Sequence, residues 1–252
     1  MKQIALVTGA TAGFGKAITE RLVHDGYRVI ATGRRQERLD ELAARLGPDL
    51  LPFRLDMNDA AAIAALPASL PEGWREVDVL INNAGLALGM EKAQEADIAN
   101  WQTMIATNVT GMVELTRVLL PGMVARDRGH VIALGSTAAI YPYTGGNVYG
   151  ATKAFVRQFT RNLRCDLLGN NVRVTNLEPG LCGGSEFSNV RLRDDARAAA
   201  VYEGTRPLMP VDIAETVPCV LSLPRHVNIN DIELMPTCQA AGGLAVARGM
   251  KD

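Results

Sequence analysis

A chain of 252 residues has room for one large domain or two small ones, and without any linker-like or low-complexity tract one large domain is expected. Hydrophobic residues make up 48% and charged residues 21%, which excludes a disordered chain and allows a sizeable buried core. The formal charge of −1, with acids and bases interspersed, gives no footprint for nucleic acid or an acidic membrane, so the expected partner is a small molecule.

In chain order, the apolar run Ile4 to Val7 reads as a strand that ends in a glycine-rich turn and leads into a helix from about Phe14 to Asp25. Arg28 to Ala31 precedes a helix from about Arg35 to Leu46, and Leu50 to Leu55 precedes a short one near Ala60 to Leu66. Val77 to Ile81 is followed by a long helix from about Ile98 to Ala125. His130 to Leu134 is followed by a helix from about Val148 to Leu168, closed by Gly169 and Asn170. Val172 to Leu177 and Ile232 to Met235 complete the strands. Because the strands are nearly all apolar and alternate with helices, they predict an α/β fold in a single domain: a doubly wound sheet of about seven parallel strands with helices on both faces. The stretch from Gly183 to Pro210, rich in charge, Gly and Pro, reads as an irregular lid over a site. A tail over about 236–252, rich in Ala and Gly, is expected to reach a neighbouring subunit.

Directly after the first strand stands TGATAGFG, with Gly9, Thr11, Gly13, Phe14 and Gly15. Such glycines let a backbone turn tightly and approach a pyrophosphate, while the following helix offers free N–H groups and a favourable dipole. A plain turn would use the same residues; position at strand one is what favours a dinucleotide site and the Rossmann form of the fold. At the end of the second strand, where an NAD-specific protein places an acid, the sequence has Gly33, Arg34 and Arg35. Two guanidinium groups suit a ribose 2′-phosphate, so NADP(H) is the expected cofactor.

Further motifs follow in order: NNAG with Asn83, Ala84 and Gly85, Asn108 in the long helix, Ser136 after the fifth strand, YGATK from Tyr149 to Lys153, and Pro179 with Gly180 after the sixth. With these motifs the chain resembles the classical short-chain dehydrogenases/reductases over essentially its whole length. The resemblance implies that Asp56 contacts the adenine, that NNAG supports the cofactor, and that Pro179 and Gly180 border the nicotinamide. Ser185 stands where many members have Thr against the carboxamide.

Tyr149 and Lys153 are four residues apart on a predicted helix and so share a face. A lysine ammonium beside a phenol favours the phenolate, so Tyr149 is expected to exchange a proton with the substrate oxygen while Ser136 stabilises charge there. By resemblance, Lys153 also binds the nicotinamide ribose, and Asn108 holds a water of a proton relay.

The phrases ATGRRQERL, NNAGLALGM, GGNVYGATKAFVRQF and HVNIN resemble a narrower group, the NADP-dependent 3-hydroxy acid dehydrogenases acting on L-allo-threonine, serine or malonic semialdehyde, with sulfoacetaldehyde reductases as relatives. A broad carbonyl reductase or a non-catalytic NADP(H) sensor are the competing readings. An anionic substrate asks for a cation: Arg191, and less so Arg193, are expected in that role, with Gln239, Tyr143 and Asn147 lining the pocket. Cys165, Cys182, Cys219 and Cys238 lack metal-ligand spacing and, with three histidines, predict no metal and free thiols in the cytoplasm. A short apolar run at the N-terminus predicts no signal peptide, and no membrane span is expected. The resemblance implies a homo-oligomer, dimer or tetramer.

Overall fold

All seven apolar runs pair in parallel in the computed structural model, which describes residues 2–242. The strands are β1 (Ile4–Val7), β2 (Arg28–Gly33), β3 (Leu50–Arg54), β4 (Val77–Asn82), β5 (Gly129–Leu134), β6 (Val172–Pro179) and β7 (Asp231–Leu234). They lie in the order β3-β2-β1-β4-β5-β6-β7. The chain builds outward from β1 through β2 to β3, then returns to place β4 on the other side of β1. That reversal opens a crevice at the carboxyl ends of β1 and β4, where doubly wound sheets bind their ligands.

Alternate residues of each strand feed two cores. Ala5, Val7, Val29 and Ile81 pack with Ile18 and Leu22 of α1 (Gly13–His24), Leu39 and Leu42 of α2 (Gln36–Leu46) and Ile213 and Val217 of a later helix. Ile4, Leu6, Ile30 and Leu80 pack on the other face with Ile63 and Leu66 of α3 (Ala60–Ser69). The long helix predicted from Ile98 is α4 (Ile98–Ile105), a π turn over Ala106–Thr110 and α5 (Gly111–Ala125), whose Leu115 and Met123 join this second core. The helix carrying YGATK is α6 (Asn147–Asp166), and its Leu163 completes that face.

Two further features differ from the sequence expectation. The lid is not irregular: it holds two six-residue helices, α7 (Phe187–Leu192) and α8 (Asp195–Ala200). A helix absent from the prediction, α9 (Pro210–Leu221), follows, with Pro210 at its start and Asp212 accepting the Met209 N–H at 2.7 Å. Most of the tail over 236–252 lies outside the described residues. Among the described residues no helix is long and apolar enough to cross a membrane, and no group of His, Cys, Asp or Glu is arranged to hold a metal.

Candidate active site

A cavity of about 1260 Å³ follows the carboxyl ends of the strands, from Gly33, Arg34 and Arg35 past the glycine loop to Tyr149 and Arg191. Its floor is fixed by Thr8. That hydroxyl accepts the N–H groups of Asn83 and Ala84, both at 2.9 Å, and donates to Ile81 O. Asn83 answers with its amide, donating to Thr8 O at 2.7 Å and Gly9 O at 3.3 Å. The NNAG segment and the glycine loop are thereby one unit. Gly9 has φ +66°, favourable only for glycine, and a Cβ on Gly15 would lie 2.3 Å from Gly9 O, so the loop is closed to side chains at both points. Phe14, Asp56, Ala84, Pro179 and Ser185 also line the cavity.

At the far end of β2 Arg34 is exposed and faces the cavity. Arg35 donates to the Thr11 hydroxyl from Nη2 at 2.9 Å and from Nη1 to Glu186 at 2.9 Å. Arg38, one turn further along α2, donates to the same carboxylate at 2.7 Å.

Ser136 stands just after β5 and caps a short turn: its Oγ accepts the Ala138 N–H at 3.1 Å and reaches Pro179 O at 3.5 Å. Tyr149, in the first turns of α6, is 8% exposed and its ring is 5.8 Å from that of Phe187. Burial pushes its phenol up to about 12, against the neighbouring Ser136 hydroxyl and the Arg191 cation, which both pull it down. Lys153, to which the sequence assigns that task, sits 5.9 Å from the Tyr149 ring centre and donates to Leu134 O at 2.6 Å. Its own ammonium is pushed down to about 8 by burial. Asn108 lies in the π turn, and both its donors are committed, to Leu86 O at 2.8 Å and the Thr152 hydroxyl at 3.1 Å, while its Oδ1 accepts the Leu86 N–H at 2.9 Å. A Cβ on Gly85 would stand 3.2 Å from that Oδ1, so the loop after β4 passes tightly over Asn108 and Lys153.

On the substrate side the structure divides the predicted residues. Arg191 is brought to Tyr149, its guanidinium carbon 5.5 Å from the ring centre. It donates to the Tyr143 hydroxyl at 2.9 Å and to Gly89 O and Gly145 O, both at 3.1 Å. A guanidinium has five N–H groups, so two are left for a ligand. Gln239 lines the cavity and accepts the Leu181 N–H at 2.7 Å, in a space that Gly180 must leave open. Asn147 is not brought to the cavity: its amide donates to Glu91 O at 3.1 Å and accepts from Val148 N–H at 2.7 Å, which fixes the start of α6. Arg193 turns away, to Asn100 on α4 at 3.2 Å.

Sequence reasoning missed Glu186, Arg38 and Phe187. Arg38 had a signal, its helical spacing from Arg35. Glu186 had none, being 151 residues from Arg35.

A paired glycine loop and NNAG segment, with Ser136, Tyr149 and Lys153 around one cavity, match a known pattern: the short chain dehydrogenase family model fits residues 3–195. The chain is a short-chain dehydrogenase. It is 58% identical to the NADP-dependent 3-hydroxy acid dehydrogenase YdfG of Escherichia coli (strain K12), over 97% of this chain and 99% of that protein. It is 49% identical to a serine 3-dehydrogenase of Rhizobium radiobacter, over 98% and 99% respectively. Among solved structures, the closed form of a serine dehydrogenase complexed with NADP+ superposes with a TM-score of 0.96 at 58% identity, covering 98% of this dehydrogenase and all of that chain. The Escherichia coli serine dehydrogenase crystal structure gives 0.84 at 54% identity, over 94% of this chain and all of that one.

Proposed function

We propose that this dehydrogenase interconverts a small 3-hydroxy acid, of the class of L-allo-threonine, serine or 3-hydroxypropionate, and the matching carbonyl compound. That it is an NADP-dependent oxidoreductase follows from its family and from its NADP-dependent relatives. The groove fits that cofactor on its own chemistry: a loop closed to side chains, and Arg34 and Arg35 at the end of β2, where they would hold the 2′-phosphate. When bound, the nicotinamide supplies or accepts the hydride. The remaining work falls to the chain.

Ser136 and Tyr149 hold the reacting oxygen between two hydroxyls, and Tyr149 gives or takes its proton. In the reducing direction a phenol with a high pKa is in its donating form at neutral pH, which suits reduction of a carbonyl. Lys153, bonded to Leu134 O, keeps its cation near the Tyr149 ring and would hold the nicotinamide ribose. Asn108 ties the Leu86 loop to Thr152, the residue before that lysine. The π turn around Asn108 interrupts the regular carbonyl ladder, which is where the relay water implied by the family would bind.

One observation carries the substrate class: the Arg191 guanidinium, with two N–H groups to spare, stands 5.5 Å from the Tyr149 ring. A carboxylate held there places a carbonyl a few bonds away beside Tyr149 and Ser136. Gln239 adds a neutral amide to the lining of the same cavity. The test is NADPH oxidation, followed by absorbance, with malonic semialdehyde, sulfoacetaldehyde and a neutral aldehyde of similar size. Malonic semialdehyde is expected to give the highest kcat/KM; equal values for the neutral aldehyde would refute the anion preference, and a sulfoacetaldehyde preference would move the substrate from carboxylates to sulfonates.

The four free cysteines support a reducing compartment, the cytoplasm. Ile98 and Ile105 on α4 and Phe155 on α6 are exposed apolar residues, which supports burial of these helices in a dimer or tetramer.

A further inference from the structure

The helix α7 crosses the groove as a bar held at both ends. At its C-terminal end, Arg191 grips the loop after β4 twice: its carbonyl accepts the Gly89 N–H at 3.0 Å, and its side chain donates to Gly89 O. At its N-terminal end stands Glu186, which reaches the opposite wall of the groove. One carboxylate oxygen accepts from Arg35 at 2.9 Å and the other from Arg38 at 2.7 Å. Next to it, Ser185 lies against the glycine loop, where a Cβ on Gly13 would come 3.1 Å from the Ser185 Cβ. The two arginines, Arg38 first, hold the Glu186 carboxyl below its ordinary value, as a charged partner does.

Charge balance shows that this contact is compatible with the cofactor. Arg34, Arg35 and Arg38 carry three positive charges, and Glu186 removes one. The remaining two match a phosphate monoester dianion. Arg34 and Arg35 line the groove, whereas Arg38 does not and is left to Glu186.

We propose that Glu186 is the latch of the cofactor groove: a positioning residue that, through Arg35 and Arg38, fastens α7 across bound NADP(H) and so keeps Phe187 and Arg191 against Tyr149. The inference rests on the cofactor reading above, not on the identity of the substrate. The adenosine end of the groove and the substrate end are then joined by a helix of six residues, with the latch before its first residue and Arg191 in its last turn.

Because Arg38 and Glu186 act on the lid and not on the phosphate, opening the latch speeds the release of NADPH and NADH by the same factor. The pairs are partly exposed, so the factor is about two- to tenfold. The experiment is stopped-flow displacement of each cofactor from the wild type, Glu186→Gln, Arg38→Gln and the double variant. Equal acceleration for both cofactors, with the double variant no faster than the singles, is expected, since the two residues form one interaction. The KM for the carbonyl substrate should rise without a fall in kcat. In the cofactor-free protein, hydrogen exchange over 185–193 should rise in both single variants while β1 and β4 stay protected. Unchanged release, or slower release and tighter binding of NADPH alone, would overturn the latch; the latter would make Glu186 a competitor of the phosphate. A wild type that binds neither cofactor would overturn the cofactor reading itself.

Discussion

Lys153 and Tyr149 share one face of α6, and the lysine's only hydrogen bond among the described residues goes to Leu134 O at 2.6 Å, with its ammonium 5.9 Å from the Tyr149 ring centre. A cation has therefore been buried beside a phenol at a cost that burial makes visible: Lys153 falls to about 8. A folded-state value below the unfolded one means that charged Lys153 opposes folding. The penalty is fully present below about pH 8 and fades as pH rises toward the unfolded value of 10.5. Lys153→Met should abolish most activity and yet stabilise the fold, by about 1–3 kcal/mol at neutral pH once the lost bond to Leu134 O is offset. Thermal melts should show a gain that shrinks above pH 8; a loss of stability at neutral pH would contradict the penalty.

Tyr149 should leave a mark on the pH dependence of direction. With its phenol pushed up to about 12, the neutral form dominates at neutral pH. Reduction uses that form, and oxidation of the hydroxy acid uses the phenolate. The oxidative rate should therefore climb as pH rises above neutrality while the reductive rate does not. An oxidative pH-rate profile already flat in mildly acidic buffer would contradict a raised phenol.

Arg35 and Arg34 should separate the two nicotinamide cofactors. Replacing a charge-assisted donor to the phosphate costs about 1.5–3 kcal/mol, or roughly 10- to 100-fold in affinity. Arg34→Gln should weaken NADPH by that order in fluorescence titration and leave NADH nearly unchanged. Equal weakening of both would mean that Arg34 supports the groove and not the phosphate.

How far the molecule could be read from its residues depended on the range of the interaction. Each strand was legible because burial on both faces leaves an apolar run, as at Ile4 to Val7. Tyr149 and Lys153 were legible because four residues on a helix make one face. In contrast, α7 and α8 are six residues each, too short to show a period, and α9 carries Pro218 inside it, which reads as a break. The π turn at Asn108 has no periodic signature either. Asn147 adjoins the helix turn of Tyr149 in sequence, and nothing in that spacing reveals that its amide is committed to Glu91 O. Arg38 and Glu186 meet across 148 residues, a distance that no local pattern spans.

Arg191→Ala removes the proposed anion donor and also three lid bonds. Losses should therefore fall on all substrates but be larger for an anionic one. With malonic semialdehyde and a neutral aldehyde compared at equal NADPH, the extra loss of a charge-assisted contact is about tenfold or more. Equal losses would leave Arg191 as a strut of the lid alone.

Tyr149→Phe isolates the proton transfer, because it removes one oxygen from a packed ring and leaves the groove intact. NADPH binding, measured by fluorescence titration, should be unchanged, while turnover with malonic semialdehyde falls by about 10²–10⁴-fold. Turnover near the wild-type rate with normal NADPH binding would mean that Tyr149 does not move the proton.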